Sequence, residues 1–246
     1  MTRAFLPAAL LLLGASLPPG ATAHELTSAK KTGIPASFDI LSADAKAKGK
    51  IVTFGITVAG KAGADKPAAT GKLPGASVHA YVWPTTLDPA IAGFAKGSGI
   101  LALAVTAHPD FDDTPLIDEN GDGNPNNDGA NWHSHWVVLA KDAACGAAGL
   151  KVRDIAAGED LAVPPTAPGL PLMLDSPGAS PLLKGSQLMV SSALQDAKPL
   201  VGAGFDAVTS KLTVNKDAKA PLLCVTEVYD IASGKLDLSG KIVEGK

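Results

Sequence analysis

The chain of 246 residues is 46% hydrophobic and 18% charged, which excludes an intrinsically disordered protein because enough apolar surface is present to build a core. Its 26 glycines and 19 prolines follow no fixed period, which excludes a collagen-like or coiled-coil structure. The formal net charge of −3 argues against a broad electrostatic contact with nucleic acid, so we expect no nucleic-acid partner.

Residues 1–23 have the pattern of a secretory signal peptide. Arg3 gives a positive start, an apolar stretch follows, and Ala21-Thr22-Ala23 offers small residues for cleavage. No later stretch is long and apolar enough to cross a bilayer, so we expect a periplasmic or secreted protein without membrane insertion after cleavage. Cleavage after Ala23 leaves His24 first, and its amine and imidazole together resemble the histidine brace of copper monooxygenases.

The chain has two cysteines, Cys145 and Cys224, which lie 79 residues apart. In an oxidising compartment an even pair of this kind predicts one structural disulfide. The alternative is two buried thiols or soft metal ligands. Export favours the disulfide.

Short apolar runs separated by Gly- and Pro-rich segments predict an all-β fold. The segments 60–74 and 163–181 are expected to be irregular, and 89–95 allows a short turn of helix. We predict a single antiparallel β-sandwich over 24–246, immunoglobulin-like or jelly-roll-like, with long loops and little helix. The predicted strands span 51–58, 77–83, 100–106, 132–140, 150–155, 187–192, 208–214 and 222–231.

Oxygen donors are concentrated in one acidic loop, 108–131. Between positions 97 and 140 there are seven acidic residues, no Lys or Arg, and five of the six asparagines of the chain. The run Asp118-Glu119-Asn120-Gly121-Asp122-Gly123-Asn124 matches the first half of an EF-hand-like calcium loop. In such a loop oxygens at alternate positions converge on the ion, and a glycine permits the sharp turn.

The motif predicts calcium binding through side-chain oxygens and one backbone carbonyl, from Asp118, Asn120, Asp122 and, by its carbonyl, Asn124. The pattern departs from an EF-hand at its twelfth position, where Gly129 replaces the bidentate Glu. Asp128, or Asp112 with Asp113, would then complete the coordination. The alternative is a polar loop of Asx turns that binds no ion.

Apart from His24, every histidine lies between positions 79 and 136, as do all three tryptophans. His133 and His135 alternate along a predicted strand, so both side chains project from one face, about 7 Å apart at Cα. We predict a transition-metal site of His79, His133 and His135, with His108 as the fourth ligand. Zinc or copper is favoured over iron, because no carboxylate spacing indicates a facial triad. Alternatively, these histidines bond loop carbonyls or brace the acidic loop.

Taken together, these features predict an exported metal-binding protein that holds calcium in the acidic loop and zinc or copper at the histidines. No nucleophile motif or reactive thiol is evident, so we do not assign an enzymatic activity. One alternative is an extracytoplasmic metalloenzyme in which three histidines leave a position open for water. Another is a calcium-stabilised recognition module for a protein or glycan partner, with Trp83, Trp132 and Trp136 stacking on the ligand.

Overall fold

The computed structural model describes residues 25–109, 123–124, 131–195 and 200–245. These residues are almost entirely strand and loop, and the strands pair antiparallel apart from one short parallel contact, which confirms the predicted all-β class. Fifteen strands occur in them: β1 Leu26–Thr27, β2 Ile40–Lys48, β3 Ile51–Val58, β4 Ser77–Pro84, β5 Ile100–Ala107, β6 His133–Lys141, β7 Leu150–Val152, β8 Leu174–Asp175, β9 Leu182–Lys184, β10 Gln187–Ala193, β11 Gly204–Phe205, β12 Val208–Val214, β13 Leu223–Ile231, β14 Gly240–Lys241 and β15 Val243–Glu244.

Helical structure in the described part of the chain is limited to two short 3-10 helices, Pro89–Ala92 and Ala143–Ala148. The first begins where the Asp88 side chain accepts a hydrogen bond from the Ala90 N–H at 2.9 Å, and a proline occupies its first position. Across the described ranges, no helix has the length and apolar character that a membrane span requires.

The larger sheet closes on itself, which corrects the predicted sandwich. Its strands follow the order β5-β4-β12-β13-β7-β6, and β6 also pairs with β5, so that six strands form a closed antiparallel barrel. The short β8 pairs with Trp136 and Val137 of β6, next to the part of β6 that pairs with β7. Alternation of apolar residues fits a barrel and a sandwich equally well, and only the β5–β6 register distinguishes them.

A second sheet packs against one side of the barrel. It has the order β1-β2-β3-β10-β9, with β15 parallel to β2. Its inward side chains, such as Phe54 and Leu188, meet the outward side chains of β4, β5 and β6, including Trp83, Leu103 and Trp136. All five are almost completely buried, so this interface is the main hydrophobic core.

The barrel has a separate apolar interior. Because strand side chains alternate, β4 directs Tyr81 and Trp83 outward to the main core and Ala80 and Val82 into the barrel. The interior residues come from all six strands and are mostly Ala, Val and Leu. The protein therefore has two distinct cores that share one wall.

The predicted disulfide is confirmed. Cys145 and Cys224 are bonded, with their Cα atoms 5.2 Å apart. Cys224 lies on β13 and Cys145 on the 3-10 helix between β6 and β7, so the bond holds this connection against the barrel wall. Lys151 lies close by and bridges Asp142 at 2.8 Å and Asp154 at 2.7 Å.

Candidate metal centre

Two histidines enter the barrel from the start of β6. His133 pairs with Thr106 of β5, and His135 pairs with Ala104. Thr106 and Ala104 both face the barrel interior, so the register places both imidazoles there as well. The prediction that His133 and His135 share a strand face agrees with this placement.

His108 joins them from the neighbouring strand. It follows directly after β5, whose antiparallel pairing with β6 brings the end of one strand beside the beginning of the other. The ring centroids of His108 and His133 are 4.7 Å apart, and those of His133 and His135 are 4.8 Å apart. His133 is thus the middle member of a triad that we call the histidine cluster.

The histidine cluster has the spacing of metal ligands. One nitrogen from each ring can be chosen so that all three lie within 4.8 Å of one another. For a tetrahedral ion with metal–nitrogen bonds of about 2.0 Å, neighbouring nitrogens are about 3.3 Å apart. The Nε2 atoms of His108 and His133 are 3.0 Å apart, close to that value. At the widest separation the nitrogens must approach each other by about 1.5 Å to reach the tetrahedral distance.

Hydrogen bonds orient the three rings. Nδ1 of His108 lies 2.8 Å from the Pro109 carbonyl oxygen, and Nδ1 of His133 lies 2.9 Å from the Asn131 carbonyl oxygen. A carbonyl only accepts, so both Nδ1 atoms donate a proton and the lone pair of each neutral ring is on Nε2. The two Nε2 atoms lie 3.0 Å apart, and the Thr106 hydroxyl lies 3.3 Å from Nε2 of His133. A cation between the two rings would accept both lone pairs.

The imidazole of His135 is oriented by a residue of the segment 163–181. His135 Nδ1 lies 3.1 Å from Ser176 Oγ, which makes Nε2 the candidate ligand atom of this ring. Metal-binding histidines are commonly oriented by such an oxygen on the other ring nitrogen. His135 is 1% exposed and His108 is 4% exposed, so water reaches them poorly and their contacts with oxygen are correspondingly important.

Asp175 supplies negative charge next to His135. It lies on β8 opposite Trp136, is almost fully buried, and accepts a hydrogen bond from the Thr166 hydroxyl. Burial raises the pKa of the Asp175 carboxyl above its usual range, while the Thr166 hydrogen bond and the proximity of His135 lower it in part. Asp175 and Ser176 were not foreseen, because they are isolated polar residues in the segment 163–181 and only the β6–β8 pairing brings them to the histidines.

His79, which the sequence grouped with His133 and His135, lies outside the histidine cluster. It pairs with Ala107, one residue beyond the Thr106 position that faces inward, and therefore points to the outside of the barrel. There its Nδ1 lies 3.2 Å from the Asp65 carbonyl oxygen, and its ring meets Phe38 edge-on at 5.4 Å. The predicted fourth ligand, His108, takes its place in the triad.

The tryptophans are structural. Trp83 and Trp136 are at most 1% exposed, and Trp132 is 9% exposed. Their indole N–H groups donate to Gly55 O, Ser192 Oγ and Gly63 O, at 3.3, 2.9 and 3.0 Å respectively. Buried and satisfied indoles offer no face for a sugar ring, so the recognition-module alternative loses the stacking surface on which it depended.

Most of the predicted calcium site lies outside the described residues, namely Asp118, Asn120, Asp122 and Asp128, together with the alternatives Asp112 and Asp113. Asn124 is described and is exposed. The predicted signal peptide and His24 also lie outside the described ranges. The chain connectivity is nevertheless informative, because the acidic loop begins at His108 and ends two residues before His133.

No protein-family model, curated protein or solved structure matches the chain. The functional assignment therefore depends on the geometry of the site.

Proposed function

We propose that the protein binds a transition-metal ion, zinc or copper, through His108, His133 and His135. The observation that carries this proposal is the pair of facing Nε2 atoms of His108 and His133, 3.0 Å apart, on rings whose Nδ1 atoms both donate to carbonyl oxygens. In this arrangement the ring nitrogens that can bind a metal converge on one point, beside the Thr106 hydroxyl. A metal ion satisfies both lone pairs and that of His135.

The donor set favours zinc or copper over calcium and magnesium. Neutral imidazole suits zinc, copper, iron and nickel, whereas calcium and magnesium require oxygen ligands. Three histidines, two on β6 and one directly after β5, leave a further coordination position, which water or a small ligand can take. The nearby Asp175 carboxyl lowers the cost of placing positive charge in an apolar barrel.

The acidic loop supports the same function. It carries the negative charge of the acidic residues between the two histidines that face each other, so the region around the cluster attracts cations. The calcium site predicted from Asp118, Asn120 and Asp122 is part of this proposal and depends on the sequence motif alone.

We place the protein outside the cytoplasm, since the disulfide fits an oxidising compartment and residues 1–23 have the pattern of a signal peptide.

Calorimetric titration of metal-free protein with Zn²⁺ and Cu²⁺ tests the proposal. We expect one tight site per chain that is lost in H133A and retained in H79A. The second variant is a matched control, since His79 is the described histidine outside the cluster. Equal binding by wild type and H133A would contradict the assignment, as would a loss of binding in H79A alone.

A further inference from the structure

The interior of the barrel contains empty space beside the histidine cluster. A cavity of about 80 Å³ lies along the barrel axis, and a neighbouring cavity of about 40 Å³ lies at the end where the histidines are. The two cavities share Val78, Thr106 and His135 among their lining residues, and His108 lines the smaller one. The space is therefore continuous with the histidines.

The cavity has an identifiable cause in the sequence. A six-stranded barrel is narrow, and its interior is normally filled by side chains. Here three neighbouring strands contribute Ala80, Ala104 and Ser210, which are too short to meet across the barrel. These three residues are at most 4% exposed, whereas Val228, which also lines the space, is 39% exposed, so the space extends from the interior toward the surface.

The chemistry of the wall defines what the cavity can hold. Its lining is mostly Ala, Val and Leu, with Val208, Leu212 and Leu223 as examples. At about 80 Å³ the cavity is smaller than the dry apolar cavity of about 150 Å³ that takes up benzene, so a slim chain fits it better than a ring. The hydrogen-bonding groups along it are Thr106, Ser210 and His135. Neither cavity is lined by an Asp, Glu, Lys or Arg among the residues that the structure describes, so a charged ligand would be poorly solvated.

We propose that the barrel interior is a binding site for a small neutral molecule with an apolar body and one hydrogen-bonding head. The body lies among the valines and leucines, and the head lies at the histidine end, beside His135. This inference does not depend on the proposed metal function, since cavity and lining are properties of the barrel itself.

A series of straight-chain primary alcohols, from propanol to octanol, tests the proposal on metal-free protein. Binding is followed by the NMR shifts of the Val82 and Val208 methyl groups, with the exposed Val163 and Val201 as controls in the same molecule. We expect saturable shifts of the interior methyls only. Affinity should rise about fourfold with each added methylene until the cavity is full, and should then stop rising.

Two variants show whether the alcohol occupies the cavity. A104L fills it, and we expect it to shorten the longest chain that is accepted or to abolish binding; L212A enlarges it and should admit longer chains. The orientation of the bound alcohol follows from NMR contacts between protons. We expect its hydroxymethyl protons to contact the His135 ring and its terminal methyl group to contact Val208. An affinity that climbs with length identically in all three proteins would overturn the proposal, as would shifts at Val163 and Val201 alone. If A104L does not fold, the comparison of wild type with L212A still tests whether the alcohol occupies the cavity.

Discussion

The imidazoles of His108 and His133 face each other across the end of the barrel, with their Nε2 atoms 3.0 Å apart. Each ring is held by a carbonyl oxygen on its far side, so neither can turn its lone pair away without losing a hydrogen bond. Because β5 ends at one ring and β6 begins at the other, the relationship is part of the barrel closure itself.

Removing one ligand of the histidine cluster should abolish tight metal binding. We expect H108A and H135A to bind Zn²⁺ at least 100-fold more weakly than wild type, since losing even an orienting partner costs 10- to 100-fold and losing a ligand costs more. The measurement is competition with a chelator of known affinity. A loss below tenfold in both variants would show that these histidines do not share an ion.

The orienting serine gives a finer test. Ser176 touches His135 Nδ1 and is not itself one of the three ligand residues, so S176A should weaken zinc binding about 10- to 100-fold while leaving the fold intact. S192A is a matched control, because Ser192 is equally buried but bonds to the Trp136 indole in the main core. An equal change in both variants would indicate general destabilisation instead.

Metal should stabilise the folded protein. At zinc concentrations 100 times the dissociation constant, binding to the native state alone adds about 2.7 kcal/mol to the free energy of unfolding. Lowering the pH toward about 5 should reduce this gain, since only neutral imidazole binds the ion. Thermal melting with and without zinc, at neutral and acid pH, measures both effects. A zinc-induced gain that is unchanged at acid pH would exclude histidine ligands.

Tyr81 provides a test of the main core that is independent of metal. Its hydroxyl donates to Ser37 O at 2.7 Å and accepts from the Gly63 N–H at 2.8 Å, and burial raises its pKa to about 12. An unfolded tyrosine has a pKa near 10, so the unfolded state ionises first and stability falls between pH 10 and 12, by about 3 kcal/mol in total.

The Y81F variant should lack this alkaline loss, and at neutral pH it should be less stable by about 2 kcal/mol because two buried hydrogen bonds are gone. Tyrosinate absorbance and denaturant unfolding across the alkaline range provide the two measurements. The chain has only two tyrosines, so Y229F isolates the signal of Tyr81. A measured pKa near 10 for Tyr81 would contradict this prediction and show that water reaches its hydroxyl group.

The calcium prediction is tested through the acidic loop. Adding Ca²⁺ should raise the melting temperature, and the double variant D118N/D122N should weaken or remove the effect, because it takes two negative charges from the ligand set and calcium affinity depends on the number of charged oxygen ligands. The H133A variant should retain the calcium response. A melting temperature that calcium does not change would contradict the calcium site and favour the alternative, a polar loop of Asx turns that binds no ion.

The sequence predicted much of the fold but missed its closure. Eight strands lie where alternation and β-propensity placed them, because both signals are local. β2 was missed, since its run of Ala, Asp and Lys is too polar to stand out although one face is buried. The barrel depends on the pairing of β5 with β6, and a strand pattern alone does not specify which distant neighbour a strand takes.

The same limit applies to the site. His133 and His135 could be placed on one face from their spacing, but whether His79 or His108 completes the group depends on register. His79 pairs with Ala107, the residue after the inward-facing Thr106, and this difference of one residue in register places its side chain outside the barrel. Ser176 carries no signal in the sequence that could have linked it to a histidine 41 residues away.

The most direct test of the central claim is X-ray absorption at the zinc edge, on protein loaded with one equivalent of zinc. We expect three imidazole nitrogens at about 2.0 Å and a fourth ligand, an oxygen such as that of water. Loss of the imidazole scattering in H108A would assign it to this cluster. A shell of oxygen ligands alone, or an imidazole signal that persists unchanged in H108A, would contradict it.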